Sequence, residues 1–166
     1  MNNPKPFSQS LHDLCDIPSR QAVIDYAKEF WGVDVKPNPD KYAVDLIVYR
    51  NDIATGYIEV EMRDWRQPNE TECPYESIHV PYRKEKLFKN NLPTIYFIVH
   101  CDRLFGYWMR VEKIMKYPIK VIKNNSVSDG EKFYDVPKKF WNFVKMPVVA
   151  LHQFDAVQQE KHWLDD

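Results

Sequence analysis

The segment AVDLIVYRNDIATGYIEVEMRD, residues 43–64, decides how this chain is read. Two runs rich in β-branched and aromatic residues flank a short polar break at Asn51 and Asp52, the signature of a β-hairpin. A period of two puts Val44, Leu46 and Val48 on one face of the first strand and Ile58, Val60 and Met62 on the matching face of the second. Those are the core faces. Asp45, Glu59 and Glu61 must then share the opposite face. With the turn centred on Asp52, Asp45 lies directly across from Glu59, and like charges directly opposite on paired strands repel. Lys41 and Arg63 are the cations nearest in sequence. A divalent ion neutralises such a cluster better, because Mg²⁺ takes hard oxygen ligands and one or two carboxylates.

Working outward, PSRQAVIDYAKEFWG reads as a helix, with Ser19 as N-cap, apolar residues at Val23, Ala27, Phe30 and Trp31, and Gly32 as terminator. VDVKPNPDK is a loop or irregular strand, because two prolines in three residues deny it regular pairing. Beyond the hairpin, WRQPNETECPYESIHVP reads as a long loop, broken by Pro68 and Pro74. YRKEKLFKNN reads as a short basic helix, LPTIYFIVHCD as a buried strand and LFGYWMRVEKI as another strand. PIKVIKN and GEKFYDVP are shorter strands or hairpin arms, and the tail VVALHQFDAVQQEKHW reads as an amphipathic helix. The elements indicate an α/β or α+β sheet sandwiched by helices, and the α/β form with a central mixed β-sheet is the expected fold class, in one domain over residues 1–166 with 1–12 as a flexible arm.

Composition narrows the class. With 44% hydrophobic and 14% aromatic residues the chain is not disordered. No run approaches the ~20 apolar residues of a membrane span, MNNPKPFSQS lacks a signal-peptide pattern, and no membrane partner is expected. Cys15, Cys73 and Cys101 form no C-x-x-C pair, and the expected compartment is the cytoplasm. The net charge of −1 conceals a division. Residues 1–79 hold 8 Lys/Arg against 14 Asp/Glu, whereas residues 80–149 hold 14 against 6. A basic segment beside an acidic one can attract a polyanion when the fold brings its charges together.

A strand Asp, a turn, and then an acid one apolar residue short of a second polar residue, all following a first helix, resembles the PD-(D/E)XK, or restriction-endonuclease-like, nuclease superfamily. The resemblance spans about residues 19–110 and is specific only over 45–61. It implies metal-dependent hydrolysis of DNA phosphodiester bonds with Mg²⁺ or Mn²⁺, metal ligands at Asp45, Glu59 and the carbonyl of Val60, and catalytic roles for Asp45, Glu59 and Glu61. Val44 stands where such proteins usually carry proline, and Glu61 where they carry the lysine of Glu-x-Lys. In Glu-x-Glu members the second glutamate assists a second metal ion or the attacking water. In others a lysine enters from elsewhere, and Lys84 and Lys86 are the candidates here. Arg83, Lys89 and His79 are the expected nucleic-acid contacts, and a homodimer would place two cuts across a duplex. A shifted reading, Glu61-x-Arg63, ranks lower, because a guanidinium stays protonated and cannot act as a base. Two other classes stay open: an inactive nuclease-like module binding nucleic acid or a protein partner, and a structural or assembly protein whose hairpin acids form a solvated face.

Overall fold

The computed structural model describes residues 16–65, 72–124 and 127–147. The expected N-terminal arm, the tail helix from Val148 and the middle of the polar segment after Trp65 lie outside the described residues.

Helix α1 spans Ile17–Tyr26 and continues as one π turn over Ala27–Trp31. It starts earlier than expected: Pro18 sits in the first turn, where its missing N–H costs nothing, and Ser19 is buried inside the helix instead of capping it. Gly32 ends it in the left-handed conformation, φ 62°, and its N–H bonds to the Ala27 carbonyl. The wider π turn keeps Trp31 on the buried stripe with Val23 and Ala27, while Phe30 swings into solvent.

The central sheet has six strands in the order β1 (Asp34–Pro37), β2 (Leu46–Arg50), β3 (Ile53–Arg63), β5 (Thr94–His100), β6 (Phe105–Arg110) and β9 (Asn142–Lys145). β3 and β5 run parallel and every other neighbour is antiparallel, so the sheet is mixed, as expected of the α/β class. Pro37 is tolerated at the end of β1 because that strand is an edge.

The hairpin reaches its register by an unexpected route. Asn51 and Asp52 both have positive φ, 50° and 63°, which makes a two-residue turn, and Arg50 pairs with Ile53. Continued unbroken, that register would set Asp45 against Ile58. Between the pairs Tyr49↔Ala54 and Val48↔Gly56 the ladder shifts, leaving Thr55 as one extra residue. Leu46 therefore pairs with Ile58, and the next step along brings Asp45 beside Glu59. The bulge delivers the alignment that a turn centred on Asp52 would have given.

One face of the sheet packs on α1. Leu46, Ile58, Phe97 and Val99 meet Ala22, Val23, Tyr26 and Ala27 there. The other face packs chiefly on a second, three-stranded sheet in the order β4 (Ser77–Pro81), β8 (Val127–Pro137) and β7 (Ile119–Asn124). Tyr96, Ile98 and Tyr107 meet Ile78, Val80, Tyr134 and Val136 across that layer. β4 replaces the C-terminal end of the expected long loop. After it come a 3₁₀ turn, Tyr82–Lys84, and a single helical turn α2, Glu85–Phe88. A second single turn, α3 (Val111–Ile114), follows β6. The crossover joining β3 to β5 thus lays Arg83, Lys84 and Lys86 over the face of β3 that carries Glu59 and Glu61. No helix among the described residues is long and apolar enough to cross a membrane.

Candidate active site

Asp45 stands just before β2, where the preceding loop folds back on itself. The Asn38 amide donates to the Asp45 carbonyl at 2.8 Å, while the side chains of Asn38 and Asp40 accept from the amides of Asp40 and Tyr42. The amide of Asp45 donates to Glu59 Oε2 at 3.3 Å, and the amide of Val60 donates to Asp45 Oδ2 at 2.9 Å. The two carboxylates are thereby locked side by side. The Val60 carbonyl leaves the strand on the same edge as its amide, toward Asp45.

Two cations hold this pair. Arg20 of α1 donates to Asp45 Oδ1 at 2.6 Å, with both side chains about 15% exposed (16% and 14%). Lys84 reaches Glu59 Oε1 at 2.5 Å. Glu59 is only 3% exposed. Burial, and then the Asp45 charge, push its carboxyl up to about 7, against the opposing pull of Lys84. Arg20 is the partner that sequence reasoning missed. It lies three residues before Val23 on the flank of the apolar stripe, and no sequence signal says which strand end that flank overhangs.

The pair opens into a cleft of about 330 Å³ lined by Lys41, Tyr42, Asp45, Glu59, Arg83, Lys84 and Lys86 together with Ala43 and Leu87. Asp45, Glu59, Lys84, Lys86 and Arg83, all named from sequence, therefore meet around one cavity. Arg83 also bonds Glu131 of β8 at 3.0 Å. The remaining expected residues lie elsewhere. Glu61 shares the face of Glu59 but binds Arg63 through both carboxylate oxygens, at 3.1 and 3.2 Å. Lys89 pairs with Glu85 at 2.5 Å and lines a different cleft, between α2 and α3. His79 pairs with Asp135 at 3.1 Å in a third.

Chemically, two adjacent carboxylates and a carbonyl are a hard-oxygen donor set that suits Mg²⁺ or Mn²⁺, with water completing the shell. The raised affinity of Glu59 for a proton comes first from burial and then from the adjacent Asp45 charge, and a bound cation would offset the second of these. Among the described residues no three His, Cys, Asp or Glu side chains gather as a full cage. A site of this kind depends on water and substrate oxygens for its remaining ligands.

No family model matches the chain, and no curated protein matches it significantly. A solved structure of a bacterial homing endonuclease superimposes with a TM-score of 0.46 at 18% sequence identity, over 95% of this chain and 100% of that one.

Proposed function

We propose that the protein is a metal-dependent nuclease hydrolysing DNA phosphodiester bonds, with a site of the PD-(D/E)XK type in which the lysine comes from the crossover instead of from β3. The observation that carries this reading is the paired Asp45 and Glu59 at the end of the β2–β3 ladder, with Lys84 Nζ 2.5 Å from Glu59. Asp45, Glu59 and the Val60 carbonyl would hold Mg²⁺ or Mn²⁺. The ion, when bound, polarises a phosphate oxygen and lowers the pKa of a bound water. Once Glu59 is neutralised in that way, the Lys84 ammonium is left to face the charge that develops on the phosphoryl group. Lys41, Arg83 and Lys86 form a cationic rim that suits the flanking phosphates. A two-fold partner would pair two such clefts across a duplex.

One observation favours a second reading. Arg20 and Lys84 already balance the two carboxylates charge for charge. An inactive nuclease-like module, which binds nucleic acid without cutting it, would keep such a pairing permanently. Supercoiled plasmid and linear duplex incubated with Mg²⁺ or Mn²⁺, with and without chelator, separate the two. The nuclease cuts only with metal, and Asp45→Ala or Glu59→Ala abolishes cutting while the fold persists. Binding without cutting in any metal identifies the inactive module. Cutting that survives either substitution refutes the assigned site.

A further inference from the structure

Glu59, Glu61 and Arg63 alternate along one face of β3, and beyond Arg63 a cleft of about 450 Å³ opens. Its lining includes Arg63, Trp65, Tyr75, His79, Lys120 and Asp135, from β3, the segment before β4, β4, β7 and β8. Arg63 is fixed there. Its Nε and Nη2 bind Glu61, and Nη2 also donates to the His79 carbonyl. Tyr75, by contrast, is 60% exposed.

From this arrangement we infer that the second cleft is a base-binding subsite, taking one unstacked nucleobase of the strand whose phosphate lies at Asp45 and Glu59. The inference rests on the nucleic-acid reading above and adds to it what that reading leaves unassigned.

Charge argues for a base over a phosphate. Arg63 is already held by Glu61 and Asp135 is paired with His79, which leaves Lys120 against Glu76 in the lining, so a phosphate finds no net attraction, unlike at the rim of the acidic cleft with its Lys41, Arg83, Lys84 and Lys86. An uncharged base carries both donors and acceptors on its edges. The guanidinium of Arg63, the Ser77 hydroxyl and the carboxylates of Glu76 and Asp135 supply the complementary set. Tyr75 supplies a face for stacking, and the volume lies in the range of small-ligand pockets. Arg63 lies four residue steps beyond Glu59, which at ~3.3 Å per step is about 13 Å. That is the span of a few nucleotides of one strand, at ~3.4 Å of axial rise each in a stacked helix. The third hairpin carboxylate, Glu61, thereby acquires a purpose as the residue that positions Arg63.

The test uses the full protein in chelator, where no cutting occurs. Single-stranded oligonucleotides of about twelve nucleotides, within the range of known single-strand sites, carry one abasic position moved along the sequence, and affinity is read by fluorescence anisotropy. One abasic position should weaken binding roughly ten-fold, and Tyr75→Ala should weaken binding of the intact strand by a similar factor. Combined, the two changes should cost no more than either alone, because they remove the same contact. A scan that is flat throughout, effects that multiply, or no binding by the wild-type protein would overturn the subsite. A protein that binds the base in this way yet never cuts with Mg²⁺ or Mn²⁺ overturns the nuclease reading and leaves the subsite in place.

Discussion

Replacing Arg20 by methionine puts the electrostatics of the acidic pair to a quantitative test. Arg20 holds Asp45 Oδ1 at 2.6 Å with both side chains about 85% shielded from solvent, so the change strands a carboxylate next to Glu59 instead of removing a surface contact. Breaking a buried ion pair by deleting one partner costs about 3–5 kcal/mol, and the residual exposure here places the cost at the lower end, about 3 kcal/mol. For a chain of this size that corresponds to a melting temperature lower by roughly 6–12 °C at pH 8. At pH 5.5 the loss should shrink, because Glu59, already shifted to about 7, takes up a proton and removes the repulsion. Mn²⁺ at a hundred times its Kd should return about 3 kcal/mol to the variant. The wild type should gain less, since the ion must first displace Arg20. The assay is thermal and urea denaturation at both pH values, with and without Mn²⁺. A variant that melts with the wild type at pH 8 and ignores Mn²⁺ would refute both the weight of the pair and the site for a cation.

Three further outcomes follow from the same geometry. Glu59 binds its proton more tightly in the folded chain, about 7 against an ordinary 4.5, so stability should fall as pH rises from about 4.5 through about 7, by up to about 3 kcal/mol. Glu59→Gln should flatten that slope in urea titrations, and Mn²⁺ affinity measured calorimetrically on the wild type should rise over the same interval as Glu59 ionises. Lys84→Met removes the charge that opposes the upward shift of Glu59; its carboxyl should titrate higher still by NMR, and cleavage should drop by about 10²–10³, as when one transition-state donor is lost. Asp52→Gly relieves a left-handed residue in the two-residue turn and should stabilise the protein by about 0.5 kcal/mol in urea denaturation, since glycine is favoured there.

Much of the sheet could be read from alternation alone. The hairpin strands declare their buried faces through Leu46 and Ile58, and Thr94–His100 is apolar enough to announce a strand covered on both sides. Since side-chain period fixes facing, Asp45 and Glu59 were also legible as neighbours. The reason for their alignment was not, because nothing in NDIAT distinguishes a turn centred on Asp52 from a tighter turn followed by a bulge at Thr55. β4 was hidden between Pro74 and Pro81, which read as breakers; an edge strand tolerates Pro81 at its end, and Ile78 and Val80 supply the buried face of a second sheet. Lys84 could be named only as one of several cations after the hairpin, because the choice depends on how the crossover lies over β3. The fate of Glu61 was a competition between a metal and Arg63, two residues further on the same face. Arg20 depended on helix docking, a tertiary fact with no local signature.

On the proposed reading, Asp45 and Glu59 seat a divalent ion, and Arg20 and Lys84 stand in for its charge. Anomalous scattering from a crystal soaked in Mn²⁺ addresses it directly. The expected result is a peak between the two carboxylates, in contact with the Val60 carbonyl, with Arg20 swung away from Asp45. No peak at saturating Mn²⁺, with Arg20 still bound to Asp45, would contradict it.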